Sequence, residues 1–227
     1  MSSKREHTEQ SILDHAARLF YEKGFFETSQ QEIADAAEVN RGLIHHYFGN
    51  KEAIAVRIFQ NFLDGFYCTL EQSFLGGLDF IVSSITQGRV VLNALMTNGN
   101  YQRFHAQIIG SEDAVRMIDQ LVYRDLAKEC RLLSLPFSDA EMQMYAMVLA
   151  SVESRLMSMR TENTDTLMLA DIISVYNRIH LSILKIGEKA AEEIIRASIQ
   201  ASDRIRFRVI DEAHPFTVTP DHFELLA

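Results

Sequence analysis

The sequence predicts an all-α protein: a helix-turn-helix head, a larger helical body and an extended C-terminal tail. Residues 28–51, TSQQEIADAAEVNRGLIHHYFGNK, hold two short helical patterns on either side of a three-residue turn. Helical patterning then runs to about residue 201, broken at recognisable punctuation, in a chain of 227 residues with only three prolines and ten glycines. From Asp203 the apolar residues change to the spacing of a strand.

The first helix of the pair starts where Thr28 and Ser29 offer capping hydroxyls. Gln31 and Glu32 lie three residues after each, so both pairs have the capping-box spacing. Ile33, Ala34 and Ala37 form the buried face and leave Gln30, Gln31 and Asp35 outside. Ala37, Glu38 and Val39 make the turn, with Val39 as its apolar plug, and Asn40 caps a second helix over 41–48. That helix buries Ile44 and Phe48 and presents Arg41, Gly42, Leu43, His45 and Tyr47, the positions from which a recognition helix meets bases and phosphates. The planar fork of Arg41 matches guanine O6 and N7, a pairing worth about 1–3 kcal/mol in base discrimination. Gln30 and Gln31 suit adenine or phosphate, Gly42 a close backbone approach, Leu43 a thymine methyl, and Tyr47 and Lys51 phosphate oxygens. Spacing alone also fits two short core helices with a solvated face.

In the body, the pattern predicts a helix over 51–74 that Gly76-Gly77 stops, then one over 78–97 with a kink point at Gly88. A short helix over 101–109 follows, and Ser111 caps another that reaches residue 133. Pro136 and the capping box Ser138–Glu141 open a long helix to about residue 159. Helices over 165–186 and 188–201 complete the body. In the tail Ile205, Phe207 and Val209 alternate with Arg204, Arg206 and Arg208, and Pro215 and Pro220 exclude a continuing helix. This predicts an extended arm lying on the body or on a partner subunit, with the arginines at a solvated edge.

Residues 11–54 resemble the DNA-binding region of the tetracycline-repressor (TetR) family of bacterial transcriptional regulators. The resemblance rests on SILDHAARLFYEKGF, with its A-x-x-L-F-x-x-x-G-F ending at Phe25, on the opening T-S-x-x-x-I-A and on the closing Y-F-G-N-K-E. It covers about a fifth of the chain and implies three domains or segments: a three-helix DNA-binding head at 1–50, an effector-binding and dimerisation body at 51–202, and a tail at 203–227 that the family pattern does not explain. It assigns DNA contacts to Gln30, Gln31, Arg41, Gly42, Leu43, His45, Tyr47 and Lys51, and Thr28, Ser29 and His46 join them as candidates. Glu38 stands where the family usually has a turn glycine, and His45 where it usually has a phosphate-contacting tyrosine.

Small residues on two late helices carry a dimer signal. Ala146, Ala150, Ser154 and Ser158 recur every fourth residue, and Ala170, Ser174 and Ser182 form a second stripe interrupted by Arg178. Such stripes permit close helix packing, within a subunit or between two. The resemblance implies the second, a homodimer whose two heads read a roughly palindromic operator in double-stranded DNA. It also implies a pocket in the body for a small, largely apolar effector. Phe66, Phe104, Met117, Leu121 and Tyr145 are its candidate walls, beside Phe80, Tyr101 and Met147, with His105, Asn177 and His180 to orient a polar end.

Charge tempers the nucleic-acid reading. The formal net charge is −9, and the first sixty residues hold seven lysines and arginines against nine acids. Phosphate neutralisation supplies most non-specific affinity, so the expectation is weak non-specific binding and strong dependence on a specific site. An imidazole at His45 or His46 beside phosphate implies affinity that weakens as pH rises through roughly 6 to 7.

Other classes find little support. Glu-x-x-His, HExxH, Walker and GxSxG patterns are absent, and adjacent His45 and His46 diverge on a helix, so neither catalysis, a cofactor nor a metal is expected. No run of eighteen apolar residues suggests a membrane span, and the polar start MSSKREHTEQ lacks a signal-peptide core. Cys68 and Cys130 read as buried small hydrophobes, consistent with a cytoplasmic protein. The competing reading on the same fold is a co-regulator acting through protein–protein contacts, for which Glu38 and the acidic head speak.

Overall fold

The computed structural model describes residues 4–162 and 168–226, with side chains in the first segment described as far as Ser158. Three helices form the head: α1 (Lys4–Lys23), α2 (Gln30–Ala36) and α3 (Arg41–Phe48). The body comprises α4 (Lys51–Ser73), α5 (Phe80–Thr97), α6 (Gly99–Ile108), α7 (Glu112–Leu132), α8 (Asp139–Glu162), α9 (Leu169–Ile183) and α10 (Glu188–Asp203).

Local chemistry sets most boundaries. Asn50, Asp79, Asn98 and Ser111 each accept a hydrogen bond from a free N–H in the first turn of α4, α5, α6 and α7. Ser138 and Glu141 form the predicted box before α8. Helix α5 runs through Gly88 without interruption, because a single glycine costs too little to break eighteen residues of packed helix. The predicted start of a helix at residue 165 lies outside the described residues; α9 is described from Leu169.

Helix α4 carries the head into the body, α7 packs along α8, and α10 packs along α5. One core joins the head, α4, α5, α6 and the tail; a second, built on Ile81, Ile85, Leu126, Leu181 and Ile195, closes the far end of the body. The tail folds onto its own body as β1 (Ile205–Phe207) and β2 (Phe223–Leu225), antiparallel with Phe207 opposite Phe223. Ile205, Phe207 and Val209 join the first core while Arg204, Arg206 and Arg208 remain exposed. Cys130 is buried, whereas Cys68 is exposed on α4, contrary to its reading as a buried hydrophobe.

Candidate nucleic-acid interface and body cavity

The structure chooses the second of the two capping boxes. Ser29 Oγ accepts from Glu32 N at 3.1 Å, and Glu32 accepts from Ser29 N at 2.8 Å. Lys23 adds an ion pair at 2.8 Å, and these partners hold the Glu32 carboxyl down at about 2. Asn40 caps α3 by accepting from Leu43 N, and a Cβ at Gly42 would stand 3.1 Å from the capping oxygen. Glycine at 42 thus leaves room for the cap as well as for an approaching groove. Glu38 takes a left-handed turn conformation, φ 54°. That conformation explains the glycine usual at this point and costs a non-glycine residue roughly 1–2 kcal/mol.

Arg41, Gly42, His45 and His46 are exposed along α3, with Leu43 and Tyr47 half-buried, Gln31 exposed on α2 and Gln30 half-buried beside it. His45 Nδ1 lies 2.7 Å from Gly49 O. A carbonyl only accepts, so Nδ1 carries the proton and neutral His45 presents a bare Nε2 lone pair outward. A phosphate bond at Nε2 therefore requires the cation. His46 is exposed and packs its ring edge-on to Tyr47.

Two candidate contacts take structural roles instead. Thr28 is 1% exposed, and its hydroxyl donates to Gly24 O at 2.8 Å, so its side chain has no route to a phosphate. Lys51 Nζ donates to Phe25 O and Thr28 O, both at 2.7 Å, and lies 4.2 Å from the centre of the Phe25 ring. Burial lowers its pKa, and the ammonium clamps the loop before α2 onto α4 rather than facing outward. Arg5, which was not among the candidates, places its guanidinium 5.8 Å over the Tyr47 ring and brings a cation to the recognition helix. The basic Lys4-Arg5 pair at the start of α1 was the available signal.

Behind the head, α6 grips the end of α1. Arg103 donates to Tyr21 O at 2.7 Å and Glu22 O at 2.9 Å, where the negative pole of a helix favours a cation. Gln107 Oε1 accepts from Phe25 N at 2.6 Å. Gly24, φ 97°, lies under both side chains, and a Cβ there would meet Gln107 Oε1 at 3.0 Å.

The same helix borders a cavity of about 90 Å³ between α4, α5, α7, α8 and α9. Of the residues proposed for an effector pocket, His105, Leu121, Asn177 and His180 line it. Phe66 and Phe104 instead belong to the aromatic core beneath the tail, Met117 packs into that core from α7, and Tyr145 packs at a tilt against Phe137 at the far end of the body. Those four are corrected as cavity walls, because aromatic composition does not say which side of a helix faces which space. Phe59, Leu63, Val91 and Leu92 supply apolar walls, while Tyr67, Asp125, Glu153 and Tyr176 make one end polar. Burial pushes His105 down to about 4, so it is neutral, and pushes Glu153 up to about 7. Glu129 is fully buried and takes a hydrogen bond from Ser84 at 2.6 Å and lies 2.7 Å from His180 Nε2.

The α8 stripe is corrected at Ala146 and Ala150. Ala146 and Ala150 are buried within the chain, and Ala150, Ser154 and Ser158 line a groove with Val115, Ile118 and Asp119 of α7. The exposed apolar face of α8 is Met144, Met147 and Val148, beside Val175 of α9. On α9, Ala170 and Ser182 are exposed and Ser174 half-buried, its hydroxyl donating to Ala170 O. Among the described residues, no cluster of His, Cys, Asp or Glu is arranged to hold a metal, and no helix is long and apolar enough to cross a membrane.

An exposed, capped second helix on a three-helix head, carried by an all-α body, defines a helix-turn-helix architecture. Residues 12–58 match the family of bacterial regulatory proteins described as the tetR family. The chain is 33% identical over 118 residues to the HTH-type transcriptional repressor KstR2 of Rhodococcus jostii, covering 52% of each. It is 28% identical over 141 residues to the probable HTH-type transcriptional regulator YttP of Bacillus subtilis, covering 60% of this chain and 66% of that protein. The match thus spans about half the length of the first relative. The crystal structure of RolR without ligand superposes with a TM-score of 0.63 at 14% identity, covering 82% of this chain and 96% of that one. RolR in complex with resorcinol gives the same TM-score at 16% identity, covering 86% and 94%. At those identities the likeness is one of fold. Residues 12–58 thus match the DNA-binding region of the tetR family, and the fold of the chain as a whole is like that of RolR.

Proposed function

We propose that the chain is a DNA-binding transcriptional regulator, a repressor that leaves a palindromic operator when a small ligand enters the body cavity. The row of exposed groups on α3, with Arg41 in its first turn, carries this reading. Arg41 reads guanine, Gln31 and Leu43 read neighbouring bases, and Arg5 and protonated His45 contact phosphates. Two copies meet through Met144, Met147 and Val148 of α8 and the Val175 face of α9, which would otherwise leave large apolar side chains in water.

The cavity connects to the head through one helix. His105 lines the cavity and meets the Phe59 ring edge-on with ring centres 5.6 Å apart, while Arg103 and Gln107 of the same helix hold the end of α1. A ligand that displaces α6 changes the position of the head. It shifts the population away from the DNA-binding arrangement to the extent that it binds the displaced state more tightly.

Selection from random DNA with the purified protein tests the reading, with a palindrome of about 15–20 base pairs expected. Arg41→Ala should lower operator affinity at least about tenfold. Absence of any enriched sequence at low salt, or an Arg41→Ala protein that binds as before, would overturn it in favour of a co-regulator that works through protein contacts.

A further inference from the structure

Two observations at the polar end of the cavity remain unexplained by packing. Asn177 is 3% exposed, yet its Nδ2 has no hydrogen-bond partner, a loss of about 1–3 kcal/mol for a buried donor. On the facing helix α8, Glu153 receives a hydrogen bond from Tyr176, which leaves further acceptor positions on its carboxyl. Glu129 is different, because Ser84 and His180 each occupy one of its oxygens. Glu153 and Asn177 both line the cavity, and no lysine or arginine stands among its lining residues.

We propose that the cavity accepts an uncharged compound of about one ring bearing an alcoholic or phenolic hydroxyl, which takes a hydrogen bond from Asn177 Nδ2 and donates one to Glu153. This rests on the reading of the cavity as the effector site. A hydroxyl is the smallest group that meets both needs with one atom. An ammonium accepts nothing and leaves Asn177 unpaired. A carboxylate satisfies Asn177 but enters a space lined by the Asp125 and Glu153 carboxyls and by no lysine or arginine. Burial holds Glu153 near 7, and either form pairs with a hydroxyl, whereas an amine would require the ionised form that burial disfavours. The apolar walls from Phe59, Leu63, Val91 and Leu92 receive the ring. At about 90 Å³ the space is smaller than the roughly 150 Å³ that holds benzene in an engineered cavity, so a ring enters only by moving a wall. The wall formed by His105 belongs to the helix that grips α1.

Calorimetry on the full-length protein with four matched probes, benzyl alcohol, toluene, benzylamine and benzoate, tests the assignment without DNA. Benzyl alcohol should bind tightest, about threefold to tenfold better than toluene, with benzylamine and benzoate weaker still. Asn177→Leu should reduce benzyl alcohol to the level of toluene, and Glu153→Gln, which still accepts and donates, should retain the preference. Equal binding of alcohol and toluene, or a lead for benzylamine or benzoate, overturns the hydroxyl assignment while leaving a ligand site in place. If none of the four binds, the cavity loses its ligand role, whereas operator selection judges the DNA reading independently. The wild-type ranking decides the matter even where Asn177→Leu fails to fold.

Discussion

The two sides of α4 have opposite interiors. On the tail side, Phe62 and Phe66 of α4 pack with Tyr101 and Phe104 of α6 and with Phe207, Phe216 and Phe223 of the tail, neighbouring ring centres lying 4.8–6.2 Å apart. Its polar group in that packing, the Tyr101 hydroxyl, donates to Pro215 O. On the other side, α4 meets α7, α8 and α9 across a cavity with titratable groups and an orphan amide. Dense aromatic packing resists deformation, whereas an incompletely filled polar space has room for more than one arrangement. The tail core is therefore the stiff side of α4, and the cavity proposed as the ligand site is the soft one. Phe59 and His105 stand at the boundary, one on each helix.

The largest effect should come from breaking the stiff side. Phe216 touches Tyr21, Phe62, Tyr101 and Phe104, so Phe216→Ala should cost about 3–5 kcal/mol in denaturant unfolding. Leu121→Ala, on a half-buried cavity wall, should cost less than about 2 kcal/mol, because the site already tolerates empty space. Equal costs would show that the two interiors are alike.

The next effect separates them by pH. Tyr67, Asp125, Tyr176 and His180 border the cavity with Glu153; Glu129 lies behind them against His180, and Arg124 is bonded to Asp125. Burial raises Glu153 from 4.5 to about 7, so its contribution to stability is full below about 4.5 and is lost as pH rises through 7. Glu153→Gln removes the titration. The variant should melt above the wild type at pH 8, with the difference shrinking towards pH 5. A constant difference across that range would mean that the Glu153 carboxyl is solvated rather than buried.

These contrasts also mark what the sequence could convey. Caps at Ser29, Asn40, Ser111 and Ser138 were legible because a cap and its partner lie within three residues. The strand period at 205–209 was legible for the same reason, although its partner at 223–225 was not. A helical period identifies a face but not what lies opposite it. Ala146 and Ala150 were therefore read as a subunit contact when they face their own chain. Thr28 and Lys51 were read as DNA contacts because their roles depend on a loop returning against α4, a relation between residues 23 positions apart. Asn177 was singled out for its chemistry, but only the surrounding helices give it a buried, unpaired Nδ2.

The smallest effect on stability is the most informative about how the two sides communicate. Gln107 contributes one hydrogen bond, Phe25 N to Oε1, so Gln107→Ala should destabilise the fold by only about 0.5–1.5 kcal/mol. The same bond is one of the ties between the helix bordering the cavity and the end of α1; Arg103 supplies the others. Weakening them should leave operator affinity without ligand and ligand affinity without DNA nearly unchanged, while the influence of each on the other falls. Because coupling between two binding sites is reciprocal, the loss must be equal in both directions. Measuring operator affinity with and without ligand, and ligand affinity with and without operator, closes that cycle for Gln107→Ala and for the double change with Arg103→Ala. Unchanged coupling in the double variant would move the connection from α6 to α4, the other helix that both the head and the cavity share.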